Sequence, residues 1–149
     1  MTETVSMKLV FRVGGVGFSL PIDDLVEIQE GLGASESPVA ESPVSQVGVL
    51  PFRGGTLPVF DLRPVLGLPL EPSGAEWPTV LVLCGREGMW GGVVDRVEGI
   101  FADSNFSFRP LPPLLQRQVP LPYDGLWLWR EEPLHACSAL ALETMRGAT

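Results

Sequence analysis

Positive charge and reactive side chains are what this chain has least of. Its 149 residues hold one lysine, Lys8, and one histidine, His135, and ten Lys and Arg against eighteen Asp and Glu leave a net charge of −8. The arginines are scattered singly, so no basic stripe exists to hold a phosphate backbone, and nucleic acid is not expected as a partner. No apolar run approaches the roughly 18–20 residues that cross a bilayer, and Met1–Val5 carries Glu3 with no basic residue ahead of an apolar segment. These absences lead to the expectation of a cytoplasmic protein without membrane insertion. Cys84 and Cys137 lie far apart in apolar contexts, without the CxxC or CxxH spacing of a metal or redox site. Both are expected to be reduced core thiols.

Catalytic patterns are equally scarce. His135 sits in an apolar segment with no G-x-S-x-G nucleophile motif, so it reads as structural. The chain has no P-loop, no G-x-G-x-x-G opening a helix, no H-E-x-x-H and no EF-hand spacing. Gly14-Gly15, Gly54-Gly55 and Gly91-Gly92 are each followed by strand-like sequence, which makes them turns or strand kinks where a phosphate cradle would need a helix N-terminus. Asp23-Asp24 points to opposite faces of an extended chain and reads as a solvated turn. Asp61 and Asp95 have arginines nearby in sequence, Arg63 and Arg96, which favours ion pairing over a catalytic carboxylate pair. No enzyme activity, cofactor or metal is expected.

What the chain has in quantity is punctuation: fifteen prolines and seventeen glycines between short apolar runs, with 45% apolar residues overall. Such spacing favours many short strands over long helices and suffices for one domain, or two intimately packed subdomains, without staples. Met7–Val13, Gly14-Gly15 and Gly17–Ile22 read as a first hairpin, with Phe18, Leu20 and Ile22 alternating against Gly17, Ser19 and Pro21. Residues 31–46, with two Ser-Pro steps and no apolar periodicity, read as a mobile loop.

The centre of the chain is Gly48–Leu68, GVLPFRGGTLPVFDLRPVLGL. It predicts a hairpin turning at Arg53-Gly54-Gly55, with Gly-Gly supplying the positive-φ positions. Pro58 lacks an amide donor, so the returning strand belongs at an edge, a bulge or a seam between sheets. Leu57 and Val59 share one face with Asp61, while Phe60 and Leu62 share the other. A strand apolar on both faces needs cover on both, as where two small barrels meet.

Pro64–Gly67 then reads as a short turn and Leu68–Pro78 as a loop. Thr79–Cys84 reads as a fully buried strand, turned by Gly85-Arg86-Glu87-Gly88 into one strand over Met89–Ile100. Phe101–Pro122 reads as irregular. Its PLPP step, if free, would offer a proline-rich ligand, but Leu111, Leu114 and Leu115 beside it favour a buried connector. Tyr123–Arg130 and Leu134–Cys137 form a last hairpin. Ser138–Met145 forms a short helix with Met145 and either Leu140 or Ala141 inward.

GVLPFRGGTLPVFDLR resembles the GV-I-N-L-R-G-x-x-x-P-V-x-D-L-R signature of the CheW-like domain family, with Gly48, Val49, Arg53, Gly54, Pro58, Val59, Asp61, Leu62 and Arg63 matching in order. A second block, G-x-V-V-D-x-V-x-x-V/I, is matched by Gly91, Val93, Val94, Asp95, Val97 and Ile100, and FRVGGVGFSLPIDDLVEI resembles the family's N-terminus. Two positions depart from the pattern. Pro51 stands where Asn is usual, and the C-terminal D-L-E-x-L-L lacks its Asp, which leaves the Ser138 hydroxyl to cap the helix.

The resemblance implies a mainly β fold of two intertwined five-stranded SH3-like barrels with a short C-terminal helix, one domain over residues 1–149 with its core at about 7–146. It implies a non-catalytic adaptor that joins the cytoplasmic tip of chemoreceptors to the regulatory domain of a CheA-type histidine kinase. The partner-binding residues it suggests are Glu27 and Ile28 on a kinase- or receptor-facing surface, with Gly48, Arg53 and Val94 around the groove between the barrels. Arg53 matches an arginine linked in the family to receptor coupling. A related module in a pilus-control pathway, or a barrel that binds or turns over a small ligand, are the competing readings.

Overall fold

The computed structural model describes residues 6–32, 46–68, 77–110 and 123–146. These residues form eleven strands and two helices: β1 (Met7–Val13), β2 (Val16–Pro21), β3 (Leu25–Leu32), β4 (Gln46–Phe52), β5 (Gly55–Asp61), α1 (Leu62–Val65), β6 (Trp77–Gly85), β7 (Gly88–Val94), β8 (Arg96–Ala102), β9 (Ser107–Pro110), β10 (Tyr123–Trp129), β11 (Glu132–Cys137) and α2 (Ala139–Arg146). One sheet has six strands in the order β8-β1-β2-β11-β10-β9, and the other has five in the order β3-β6-β7-β5-β4. The mainly β expectation of two packed units holds, with six strands in one unit and five in the other. In the six-stranded sheet the two outermost strands, β8 and β9, are consecutive in sequence and separated by only residues 103–106. The five steps from Ala102 to Ser107 reach about 18 Å at most, less than the breadth of six flat strands at about 4.8 Å spacing, so the sheet must curl until its edges approach.

Three apolar clusters explain why so many strands are apolar on both faces. Val10, Trp129 and Leu134, with Phe101, Phe106 and Trp127 against them, fill the inside of the six-stranded unit. Leu50, Leu57, Val59, Val80 and Val82, with Val26, Val47, Phe52 and Val93, fill the inside of the five-stranded one. The third and largest cluster lies between the units and takes Leu9, Phe11, Phe18 and Leu20 from one and Phe60, Leu62, Leu81, Leu83, Trp90 and Val94 from the other. Period-2 alternation thus sends Leu57 and Val59 into one core and Phe60 into another, and splits β6 between Val80 and Val82 on one side and Leu81 and Leu83 on the other. Burying both faces of β5, β6 and β1 is the main driving force joining the units. Pro58 pairs with Val49 and sits one residue before β5 begins its parallel pairing with β7 at Val59, the seam position its missing donor requires.

Adjacent glycines on β7 serve opposite faces. A Cβ on Gly91 would lie 2.8 Å from Val80 Cγ1 in the five-stranded interior, and one on Gly92 would lie 2.9 Å from Leu62 Cδ1 in the shared core. Both side chains they would strike are fully buried.

Several local expectations are corrected. The central turn is Arg53-Gly54, with φ of 48° and 81°, because Gly55 already pairs with Phe52. Thus Arg53 itself takes a left-handed conformation. The span Met89–Ile100 is two strands in different sheets, β7 and β8, broken at Asp95. Pro64–Gly67 belongs to the one-turn helix α1 and its end, and Asp61 caps that helix by accepting from the Arg63 amide at 3.0 Å. Phe101 and Ala102 continue β8, and Ser107–Pro110, expected to be irregular, forms β9 by pairing with β10.

Cys137 is buried as expected, but Cys84 is exposed, because it lies where β6 emerges to meet Met89 at the hairpin end. In α2 the inward residues are Ala139 and Leu142, with Met145 against the shared core, while Leu140 is 44% exposed. Ser138 caps α2 by accepting from the Ala141 amide at 3.1 Å, and Asp24, read as solvated, accepts from the Ala139 amide at 2.9 Å. Most of the 31–46 loop, and of the PLPP step all but Pro110, together with Leu114 and Leu115, lie outside the described residues.

Candidate partner-binding surface

The five-stranded unit presents its hairpin turns at one end. β5 and β7 run parallel, so the Arg53-Gly54 turn before β5 and the Arg86-Glu87 turn before β7 lie at the same end of the sheet. Residues 53–56, Arg86 and Glu87 are all exposed there. Met89, two residues beyond the second turn, is 39% exposed. α2 braces this end: the Glu143 carboxylate accepts the Arg86 amide at 3.0 Å, and Arg146 lays its guanidinium over Phe60 and Trp90, 4.3 and 4.8 Å from the ring centroids. Burial of Arg146 pulls its pKa below the ordinary value, with Glu143 and Glu87 opposing the shift.

Arg53 is the most directed group on this surface. Its left-handed backbone places it at the hairpin tip, and its guanidinium stacks on Phe52 at 4.7 Å from the ring centroid. Among the described residues no carboxylate lies within ion-pair distance of it. Asp61, at the far end of β5, is engaged elsewhere: it caps α1 and stands 3.9 Å from Arg63. The stacking restricts the Arg53 side chain, which lowers the ordering needed to meet an incoming carboxylate or carbonyl.

The other suggested residues are not gathered with it. Glu27 is exposed on β3, where Gln29 donates to it at 2.9 Å, but β3 and β4 are the two opposite edge strands of the sheet. Ile28 is partly buried against the shared core. Gly48 is buried beside the irregularity where β4 meets β5, and Val94 is 1% exposed within the shared core. Val94 and Gly48 therefore shape the scaffold under the surface and offer no side chain to a partner. Sequence reasoning missed Arg86 and Met89. The parallel pairing of β5 and β7 that sets them beside Arg53 leaves no trace in local patterning.

Elsewhere the polar groups are committed to the fold. Arg12 makes a bidentate pair with Glu132 and a 3.2 Å bond to Glu98, which also accepts from Arg96 at 2.9 Å. Arg96 therefore serves Glu98, and Asp95 takes Arg63 at 3.1 Å in its place. The hydrogen bond from Arg12 holds Glu132 below the ordinary carboxylate range, and that from Arg96 does the same for Glu98. His135 packs 5.2 Å from the Phe18 ring with Nδ1 3.3 Å from the Gly17 carbonyl oxygen. Among the described residues no three His, Cys, Asp or Glu side chains converge to hold a metal, and no helix is long and apolar enough to cross a membrane.

Comparison with known proteins agrees with this architecture. Residues 8–132 match the family model of the CheW-like domain. The chain is 31% identical over 114 residues to a probable chemotaxis protein CheW of Rhizobium etli, covering 74% of this chain and 71% of that protein. It is 26% identical over 121 residues to the chemotaxis protein CheW of Helicobacter pylori, covering 81% and 72%. In fold it resembles the crystal structure of the scaffolding protein TtCheW from Thermoanaerobacter tengcongensis, with a TM-score of 0.74 and 18% identity over 93% of this chain and 92% of that one. The family model spans both hairpin motifs and both sheets, and on that evidence the chain belongs to the CheW-like domain family.

Proposed function

We propose that this protein is a non-catalytic chemotaxis adaptor, which holds the cytoplasmic tip of chemoreceptors and the regulatory domain of a CheA-type histidine kinase in one assembly. Family membership supports the chemotaxis scaffolding role, and the chemistry of the surface supports contact as its mode of action. The observation that carries the reading is Arg53: an exposed guanidinium, pre-set on Phe52 at a left-handed hairpin tip, without a carboxylate partner among the described residues. Holding a surface arginine in this way strains the backbone by about 1–2 kcal/mol, with no offsetting ion pair among the described residues. Recognition of a second molecule would supply the missing partner.

Met89 near it offers an apolar centre, and Arg86 and Glu87 a polar rim, for one partner on the five-stranded unit, with the second partner left to the six-stranded unit. Such an adaptor works by geometry: fixing two partners on one rigid body lets a small shift in one bias the other. Arg53→Glu is expected to reduce capture of a receptor cytoplasmic fragment at least tenfold, with thermal unfolding changed by no more than a degree or so. Unchanged capture would remove Arg53 from the binding surface, and loss of folding would make it structural.

A further inference from the structure

The chain passes between its two β units at Asp95, where β7 of the five-stranded unit gives way to β8 of the six-stranded one. The two oxygens of this one carboxylate are divided between the units. Oδ2 accepts from the Gly14 amide at 2.7 Å, in the β1–β2 turn of the six-stranded unit. Oδ1 accepts from Arg63 Nη2 at 3.1 Å, on α1 of the five-stranded unit. The backbone amide of Asp95 also donates to the Arg12 carbonyl at 2.9 Å. Arg63 is steadied from behind by Asp61, whose Oδ1 accepts its amide at 3.0 Å and whose Oδ2 lies 3.9 Å from its guanidinium. A continuous polar relay thus runs from β5 through Asp61, Arg63 and Asp95 to the β1–β2 turn.

Gly14 is shaped for this role. Its φ of 59° belongs to the left-handed turn that aims its amide at Asp95, and a Cβ there would touch Leu68, just beyond α1, at 3.5 Å. The side chains of Asp61, Arg63 and Asp95 are 17%, 18% and 35% exposed, so the Asp61–Arg63–Asp95 part of the relay is partly shielded from water, while the bond to Gly14 lies at the surface.

From this arrangement we infer that Asp95 is the pin that sets the orientation of the two units relative to each other. The shared apolar core drives them together, but apolar burial has little directional preference and tolerates small rotations between packed faces. Hydrogen bonds to two fixed donors, one on each body, do not tolerate them. Cutting the pin therefore loosens orientation more than it loosens attachment. In an adaptor that carries one partner on each unit, and only if that reading holds, Asp95 is a positioning residue: it governs joint binding and touches neither partner.

The exposed Cys84 on β6 gives one spin-label site, and Ser104→Cys in the β8–β9 connection gives the second, with Cys137→Ala leaving a single pair. Electron–electron distance measurement on this background is expected to give one narrow distribution. Asp95→Ala should broaden it at least about twofold while circular dichroism stays that of a folded β protein. Arg96→Ala, which removes the neighbouring exposed pair with Glu98, should leave it narrow. If Asp95→Ala does not fold, Asp95→Asn serves instead, because it keeps an acceptor for Gly14 and loses the charge that faces Arg63. An unchanged distribution in the folded Asp95 variant, or equal broadening by Arg96→Ala, overturns the inference. With receptor fragment and kinase regulatory domain present, the Asp95 variant should bind each alone within about twofold of the parent but assemble the three-component complex at least tenfold less well. A parent protein that binds neither partner defeats the adaptor reading alone and leaves the pin to be judged by the distance measurement.

Discussion

Gly91→Ala is the smallest change that probes the packing on which this fold depends. The new methyl would enter the five-stranded interior 2.8 Å from Val80 Cγ1, 3.2 Å from Val59 Cγ2 and 3.4 Å from Leu57 Cδ1. All three side chains are at most 4% exposed and sit among other buried aliphatics, so none swings away without displacing another. Overpacking of this kind costs about 1–3 kcal/mol, against roughly 0.5 kcal/mol regained by removing a flexible glycine from a strand. The net of about 0.5–2.5 kcal/mol corresponds to a fall in Tm of roughly 1–10 °C for a chain of this size.

Two other glycines calibrate the result. Gly54→Ala meets nothing within 4 Å but sits at φ +81°, so its cost of about 1–2 kcal/mol is purely conformational. Gly55→Ala has ordinary φ and its nearest neighbour, the Phe52 carbonyl oxygen, at 3.9 Å, so it should be neutral or stabilising by up to about 1 kcal/mol. Trimming Val80 to alanine should recover part of the Gly91→Ala loss and none of the Gly54→Ala loss, a coupling that circular dichroism melts of the double variants read directly. A Gly91→Ala protein as stable as its parent, or the absence of that coupling, would refute the packed interior.

Two further outcomes follow from the side chains. Glu132 is held below its ordinary pKa of 4.5 chiefly by the hydrogen bond from Arg12, so its stabilising contribution is present in full above that value and is lost as pH falls through the depressed folded value. Urea unfolding at several pH values should therefore show Glu132→Gln less stable than the parent at pH 7, with the difference shrinking on acidification; a gap that widens in acid would contradict the assignment. Cys84 should react with a thiol reagent at the rate of an open cysteine, while buried Cys137 reacts only as the protein unfolds. Equal rates for both thiols in the native protein would contradict the end-of-strand position of Cys84.

The parts of the fold legible in the sequence are those fixed by short-range periodicity. Alternation through Leu57–Leu62 assigned the two faces of β5 correctly, because a period of two leaves no freedom once one residue is placed. Ser138 was identifiable as a cap because its hydroxyl acts only three residues away. The misplaced features are set at long range. The alternation of Val93, Asp95 and Val97 continues unbroken through residue 95, and only the long-range pairings, β7 with β5 and β6 but β8 with β1, reveal that the chain changes sheets there. Helix phase in α2 stayed open between Leu140 and Ala141 as the inward partner of Met145, because every position from Ala139 to Leu142 is apolar and gives no periodic contrast. Packing of Ala139 and Leu142 selects the face, and Asp24, 115 residues away, holds the first turn in place. The sequence places Arg53 in the central turn, as the structure does, but assigns the left-handed conformation to the glycine pair, since strand register and not residue preference decides which two residues turn.

For the surface itself, the sequence pointed to the central hairpin and could not say what stands beside it. Val94 and Gly48 lie in the matched motifs yet are buried, as residues that define a fold often are. Arg86 and Met89 belong to no motif and are exposed. The surface is therefore better defined by where parallel β5 and β7 begin than by which residues match a signature.

The adaptor account stands or falls on joint binding. Size-exclusion chromatography of the purified protein with the regulatory domain of a CheA-type kinase and a chemoreceptor cytoplasmic fragment is predicted to yield one peak holding all three, with the receptor fragment alone lost from it for Arg53→Glu. Elution of this protein apart from both partners at micromolar concentrations would contradict the account.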